Sequence, residues 1–431
     1  MSRIWPWLPL VLVACAPQVR FPSGGAPPSS FKNPAGDALP SSFTTHPGPE
    51  KKTLEPLNLV ESVPLGAMTD DPAIANTDTT WCAMLLGAKR SIAIGAFYIA
   101  LKPSDSKGTD RLQPVLDELA AAVKRGVSVR FLIDANFAKK DPAAVARVRS
   151  LGVTVREFDA AKSMGGVHHA KYMVIDEEDS YVGSANFDWR SLDHIHELGL
   201  RIRSQHAAAV FLSAFDADWV TAGGESSPAR DLGAPRTPEL LADAQVTPLL
   251  SPKGYLSDPG FWDLDRIVEA LDRAKHDVRV QLLSFETVGH DGAKFEALSA
   301  ALLRAAVRGV RVQVLLSNWQ KSAKRVGAAQ ALARQSGIFV RFVNIPEART
   351  GFIPFARVIH AKYLVVDESE VWLGTSNWGG DYFFKSRNVG ALVQSAGLAR
   401  TLSGIFDTLA AGPLSELVDP EKVYEVPRMG D

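Results

Sequence analysis

One pattern occurs twice in this chain, 191 residues apart, and the duplication limits what the chain can fold into. The copies are His169-Ala-Lys171-Tyr-Met-Val-Ile-Asp176 and His360-Ala-Lys362-Tyr-Leu-Val-Val-Asp367, each H-x-K-x4-D. Small residues and an asparagine follow both, as Gly183-Ser184-Ala185-Asn186 and Gly374-Thr375-Ser376-Asn377. The flanking patterns repeat too. Residues 91–97 and 277–283 read as opening strands after helices, and the helix-stop signals Arg125-Gly126 and Arg308-Gly309 lead into apolar runs at 127–133 and 310–316. Glycine after a basic last turn ends a helix, and apolar runs of this length suit buried strands flanked by helices. Short strands at 153–156 and 339–342 then precede each motif. The expected fold is α/β: two similar lobes, each a mixed β-sheet flanked by helices, with the active site at the lobe interface. From the stop glycine to the motif histidine there are 43 residues in the first half and 51 in the second, which places an insertion at 346–357.

The residue types belong to phosphodiester chemistry. A phosphodiester repels nucleophiles, and its alkoxide leaves poorly without a proton. Cations, a nucleophile and an acid are therefore needed where no metal supplies them. On a β-strand, side chains two apart share a face, so His169 with Lys171, and His360 with Lys362, are expected to reach one pocket from two strands. Lysine places positive charge at the non-bridging oxygens, and the amides of Asn186 and Asn377 can donate to the same oxygens. One histidine attacks to form a phosphohistidine; the other protonates the leaving oxygen and then activates the resolving water or alcohol. Asp176 and Asp367, at strand ends, are expected to accept backbone hydrogen bonds in a structural role, as part of the motif with Ser184 and Thr375.

These tandem motifs and the G-[ST]-x-N sequels resemble the phospholipase D superfamily, and are most similar to its lysosomal type 3 and type 4 members, 5′-exonucleases of single-stranded nucleic acid. The resemblance runs from about Leu59 to about Leu409 and is carried by residues 59–64, 183–192 with 197–199, and 353–360 with 374–378 and 381–383. It implies His169 as nucleophile and His360 as acid/base, with Lys171, Lys362, Asn186 and Asn377 holding the phosphoryl group. It also implies that Glu197, 28 residues after His169, hydrogen-bonds an active-site histidine. Such a partner fixes the tautomer and raises basicity. The matching stretch of the second half, Ser386-Arg387-Asn388-Val389, has no acid, so the two histidines are expected to be unequal.

A basic start, an apolar stretch through Ala14 and the ending Leu12-Val13-Ala14-Cys15 read as a secretory signal. The stretch is too short for a permanent membrane span. The ending resembles a bacterial lipoprotein box, which implies lipidation of Cys15 and a membrane-anchored location in the bacterial cell envelope, at the outer membrane facing the periplasm. Residues 15–50, with clusters such as Pro22-Ser-Gly-Gly-Ala-Pro-Pro-Ser-Ser30, are expected to form a flexible tether. The remaining organisation is a first lobe at 51–222, a Gly/Pro/Ser-rich linker at 223–236 and a second lobe at 237–431. The only other cysteine, Cys82, is expected to be a packed core thiol, which leaves no intramolecular disulfide.

Charge narrows the partners little. Forty-seven basic against forty-eight acidic residues give a net charge of −1, so no global field draws in nucleic acid. Basic clusters at Lys139-Lys140, Lys321 to Arg325 and Lys385 to Arg387 are candidates for a substrate groove, or simply a solvated face. Among the aromatics near the motifs, Phe187, Trp189, Trp378, Tyr382, Phe383 and Phe384 fit core packing or, where exposed, stacking on bases or dipping into lipid, and Phe352 and Phe355 in the insertion fit a rim. His168 is expected to be structural. His194 and His196 lack further ligands at metal spacing, so neither a metal nor another cofactor is expected. Three readings follow: a metal-independent phosphodiesterase cleaving single-stranded nucleic acid from the 5′ end, a phospholipase D or transphosphatidylase acting on glycerophospholipids, and a non-catalytic phosphodiester-binding lipoprotein. Nothing in the sequence indicates an oligomeric state.

Overall fold

Each copy of the repeat builds one mixed sheet, in a computed structural model that describes residues 55–430. The N-terminal expectations, the signal through 14, Cys15 and the tether to 50, lie outside the described residues. The first sheet comprises β1 (Leu57–Ser62), β2 (Ala75–Asn76), β3 (Ser91–Ala96), β4 (Ser128–Asp134), β5 (Thr154–Phe158), β6 (Tyr172–Ile175), β7 (Asp179–Gly183) and β8 (Glu197–Arg203). Its order is β2-β1-β8-β7-β6-β3-β4-β5. The second comprises β9 (Glu239–Leu241), β10 (Ala244–Ser251), β11 (Asp277–Leu282), β12 (Arg311–Ser317), β13 (Ile338–Val343), β14 (Tyr363–Val366), β15 (Glu370–Gly374), β16 (Asn388–Gln394) and β17 (Ser415–Leu417). Its order is β9-β10-β16-β15-β14-β11-β12-β13-β17. In both, three parallel strands joined by helical crossovers (β3-β4-β5 and β11-β12-β13) meet an antiparallel meander that carries the motif (β6-β7-β8 and β14-β15-β16).

Side-chain alternation along the motif strands explains the layers. Tyr172 and Val174 of β6 join a core shared by both sheets, whereas Met173 and Ile175 join the outer core of the first half. Likewise Tyr363 and Val365 of β14 enter the shared core and Leu364 and Val366 the outer core of the second half. The shared core also takes in the helices Gln205–Thr221 and Ala396–Ala411 through residues such as Phe211, Phe215, Leu402 and Phe406. Burying apolar surface common to both sheets fuses the lobes into one body. Residues 222–238 between them contain neither helix nor strand.

The H-x-K segments differ from the sequence expectation. Strands β6 and β14 begin at Tyr172 and Tyr363, one residue after each lysine, so the histidines and lysines lie in extended chain entering the strand rather than within it. The cause is a change of hydrogen-bonding partner. The His360 and Ala361 N–H groups donate to the His196 carbonyl in the other half, at 2.8 and 3.1 Å. Reciprocally, the Arg387 N–H donates to the Val167 carbonyl (3.0 Å), and His168 bridges Arg387. Each motif segment is thus pulled out of its own sheet and onto the other half.

Two further motif residues shape these segments. Asp176 and Asp367 adopt φ of 53° and 50°, a region aspartate tolerates better than most residues. Their carboxylates accept from the N–H groups of Lys89, Arg90 and Ser91 and of Lys275, His276 and Asp277, fastening β3 and β11 to the motif strands. Burial opposes the charge on both, yet these donors hold the carboxyls below their ordinary value. The glycine after each motif permits a close approach: Gly183 faces Gly199 across β7 and β8, and a Cβ on Gly183 would sit 2.7 Å from the Gly199 Cα.

A buried ion pair ties the halves beside the site. The fully buried Arg387 donates to Asp218 through Nε (2.7 Å) and Nη2 (2.8 Å), and to the Ser251 carbonyl through Nη1 (3.0 Å). Asp218→Ala leaves a guanidinium buried without its counter-charge, and should cost roughly 3–5 kcal/mol in urea unfolding. Adding Arg387→Met should recover part of that loss. A single-mutant cost below about 1 kcal/mol, the level of a surface pair, would show that the pair does not tie the halves together.

Candidate active site

Extended chain on either side of the lobe interface brings His169 and His360 to the same cavity. Each ring is held by a residue of the opposite half. His360 Nδ1 meets the Glu197 carboxylate at 2.8 and 3.0 Å, and His169 Nδ1 meets Asn388 Oδ1 at 3.0 Å. Glu197 and Asn388 begin β8 and β16, and each follows the motif histidine of its own half by 28 residues. The exchange is therefore reciprocal, with a carboxylate on one side and a carboxamide on the other. Asn388 was not among the residues singled out from sequence, although the shared 28-residue spacing marks it.

Electrostatics make the two histidines unequal. Burial and the charges of Lys171 and Lys362 push His169 well below its usual pKa, His360 adding to them and the Asn388 hydrogen bond opposing. Burial lowers His360 too, but the Glu197 carboxylate opposes it. Glu197 is fully buried, which disfavours its charge, yet the facing His360 and nearby Lys362 hold its carboxyl below the ordinary value.

The two lysines sit beneath the cavity floor. Each is 1% exposed, and each ammonium donates to the carbonyl of its own motif histidine. Burial pushes Lys362 down to about 7, with Glu197 opposing, and burial together with Lys362 pushes Lys171 well down. Glu197 and Asp134 oppose the downward shift of Lys171, and Glu197 that of Lys362, yet both ammoniums stay below their usual value, so an anion placed here would be favoured. Asn186 and Asn377 line the cavity, and the buried Oδ1 of each has no hydrogen-bond partner. Ser184 and Thr375 dock the small-residue turns on the next strand, Ser184 to the Leu198 backbone and Thr375 to Val389. While its oxygen accepts from the Val389 N–H (3.0 Å), the Thr375 hydroxyl can donate to Asn388 Oδ1, the shorter of its two acceptor contacts (2.9 Å).

The cavity has a volume of about 960 Å³ and largely apolar walls. Phe97, Tyr98 and Phe137 stand on one side, and Trp319 and Phe355 on the other. The His169 ring lies between Phe97 (4.9 Å) and Tyr382 (5.0 Å). Of the aromatics marked in the sequence, Phe187, Trp189, Trp378 and Phe383 are buried, while Phe384 and Phe355 are half-exposed and only Phe355 and Tyr382 reach the cavity. Phe97 and Phe137 were not anticipated; they follow β3 and β4 and reach the site through strand direction.

Other candidates fall away from the chemistry. Of the basic clusters, Lys140 and Lys385 border the cavity, Lys385 while paired with Asp291 and Asp381, and Lys321, Arg325 and Arg387 are engaged with Glu416, Glu286 and Asp218. His168 is buried against the Ala96 carbonyl, and burial pushes His194 and His196 down to about 4. No group of three or more His, Cys, Asp or Glu side chains is placed to hold a metal ion among the described residues. Cys82 is half-buried beside the outer core of the first half, and burial raises its thiol to about 11.

Comparison with known proteins gives the same picture of two copies. The family described as "Cardiolipin synthase, PLD-like domain" matches residues 81–219 and 267–410. The chain is 30% identical over 415 residues to the 5'-3' exonuclease PLD3 of Rattus norvegicus, covering 87% of this chain and 83% of that protein. It is 29% identical over 351 residues to the virion nicking-joining enzyme of vaccinia virus, covering 75% and 80%. The crystal structure of phosphatidylserine synthase from Haemophilus influenzae Rd KW20 superposes with a TM-score of 0.56 at 13% identity over 79% of this chain and 85% of that one, a likeness of fold alone.

This preference for an anion is measurable without a substrate. An anion on this floor should return the proton that burial removes from Lys362, so sulfate binding at about pH 8 should take up protons. Calorimetry in two buffers of different ionisation enthalpy should then give different heats. Identical heats would show that the lysine keeps its proton in the empty site.

Proposed function

The chain belongs to the phospholipase D-like family of phosphodiesterases, and from that premise we propose that it hydrolyses single-stranded nucleic acid from the 5′ end through a phosphohistidine. The observation that carries the chemistry is the pair of histidines in one cavity, each held at Nδ1 so that its other nitrogen is left for the substrate. His169, the less basic, attacks phosphorus through Nε2 while His360 gives its proton to the departing oxygen, so that the P–N bond forms as the P–O bond breaks. Water, deprotonated by His360, then attacks phosphorus and releases His169. Lys171, Lys362 and the carboxamides of Asn186 and Asn377 stabilise the charge on the non-bridging oxygens; loss of one such donor typically costs roughly 10²–10³ in rate. The scheme needs no metal.

Support for a nucleic-acid substrate comes from the exonuclease relatives and from aromatic walls on which bases can stack. The same apolar walls, with half-exposed Phe355, favour phospholipid as the second reading. The proposal extends to the N-terminus: a lipidated Cys15 and the 15–50 tether would hold this body at a membrane of the bacterial envelope, and Cys15→Ser should release the full-length protein from the membrane fraction.

Turnover should be tested on 5′-hydroxyl single-stranded DNA and, separately, on phosphatidylglycerol vesicles. His169→Ala and His360→Ala should each lower kcat by more than about 10⁴-fold, and a chelator should change nothing. Headgroup release without nucleotide release would replace the nuclease reading by the lipid one; binding without turnover of either would leave a phosphodiester-binding protein. His169 must be neutral and His360 protonated, and both lie below the usual 6.5. The profile of kcat/KM should therefore be a bell on the acid side of that value, falling as pH rises through it. A maximum above about pH 7.5 would contradict this charge assignment.

A further inference from the structure

We propose that Asn388 is a positioning residue for the attacking imidazole, holding His169 with its proton on Nδ1 and its Nε2 lone pair bare, and leaving the ring without an anion to retain a second proton. The inference rests on the phosphodiesterase reading and adds a residue that the motifs do not contain.

The tautomer follows from hydrogen-bond accounting. Asn388 is fully buried, and its Nδ2 donates to two carbonyl oxygens, of Tyr382 (2.8 Å) and Ser386 (3.2 Å). A carbonyl can only accept, so the amide cannot turn over without setting oxygen against oxygen. Its Oδ1 must therefore face His169 and the Thr375 hydroxyl. An amide oxygen is an acceptor, so the facing Nδ1 has to carry the ring proton. The other nitrogen is then unprotonated and opens to the cavity that His169 lines.

The neutrality of Asn388 matters as much as its shape. The charged and titratable groups facing His169 are Lys171 on its own segment and Lys362 and His360 across the interface, all disfavouring a second proton; Tyr382 packs on its edge and Phe97 on its other side. At the corresponding place in the exchange, Glu197 faces His360 with a carboxylate. The carboxylate lets His360 hold the proton it must deliver, and the carboxamide keeps His169 free to attack. An aspartate at 388 would also turn a carboxylate toward the Tyr382 and Ser386 carbonyls, which require a donor.

Two-bond ¹H–¹⁵N spectra of the full-length protein labelled in its histidines test this, with His169 assigned by the loss of its signals in His169→Gln. Wild type should show neutral His169 protonated at Nδ1. Asn388→Asp should make His169 doubly protonated at a pH where wild type is neutral, and should move the acid limb of kcat/KM upward by about one pH unit or more. Asn388→Ala, which removes the acceptor without adding charge, should give mixed tautomers and lower kcat with little change in KM; it serves if the aspartate variant fails to fold. A wild-type proton on Nε2, or a His169 tautomer and titration unaltered in both variants, would overturn the proposal. The spectra need no substrate, so the expected tautomer in a protein that hydrolyses nothing would count against the functional reading alone.

Discussion

Glu197 is a carboxylate buried beyond the reach of water, and such a group remains charged only where a partner meets it. Here the partner is His360, 163 residues further along the chain, at 2.8 Å. Much of the surrounding architecture serves that meeting. The backbone of His196 carries Glu197 alongside the entering segment of the second motif, and the Arg387–Asp218 pair closes the same joint on the opposite side. The shared core beneath supplies the rigidity, because packed sheets transmit small displacements rather than absorb them. Catalytic geometry and the union of the two lobes are consequently one problem with one solution.

The floor of the cavity shows how a site can be prepared for a phosphodiester before one arrives. Two lysines and two histidines lie together with the carboxylate of Glu197, and with that of Asp134 acting on Lys171, an arrangement in which burial still disfavours the positive charges. Part of that cost is avoided by releasing protons, which is why Lys362 falls to about 7. A bound phosphate would relieve the remainder. The dipoles and charges that stabilise a crowded phosphorus are already in place and need not reorganise as it forms.

Much of this was legible in the sequence. The strands around 128 and 311 follow from apolar runs after the helix-stop glycines Gly126 and Gly309, those around 91, 154, 277 and 338 from apolar runs that follow helical stretches, and two sheets follow from finding the series twice. That His169 and His360 share one cavity was foreseeable from the paired motifs, whereas Lys171 and Lys362, expected to reach the same pocket, lie buried outside its lining and donate to the carbonyls of their own histidines. What was hidden is non-local. The exchange of orienting residues between halves depends on segments leaving their own sheets to pair with the other, and periodicity carries no trace of that. Asn388 was passed over because an asparagine has no titration to advertise it, even though its spacing copies that of Glu197. The fates of Trp189 and Trp378 against Phe97 and Phe355 turned on which side of a strand end or loop each ring fell, which composition does not encode.

The reciprocal lending of residues has the form of an isologous contact, the kind two identical chains make across a two-fold axis. In a pair of identical chains, whatever residue occupies the lent position occupies it twice, and both imidazoles must share one kind of neighbour. Joining the copies in a single polypeptide removes that identity. One copy can then carry glutamate and the other asparagine, each changing without dragging its counterpart along. The difference between Glu197 and Asn388 is a freedom that only a covalently fused pair possesses, and it gives the two rings neighbours of different charge.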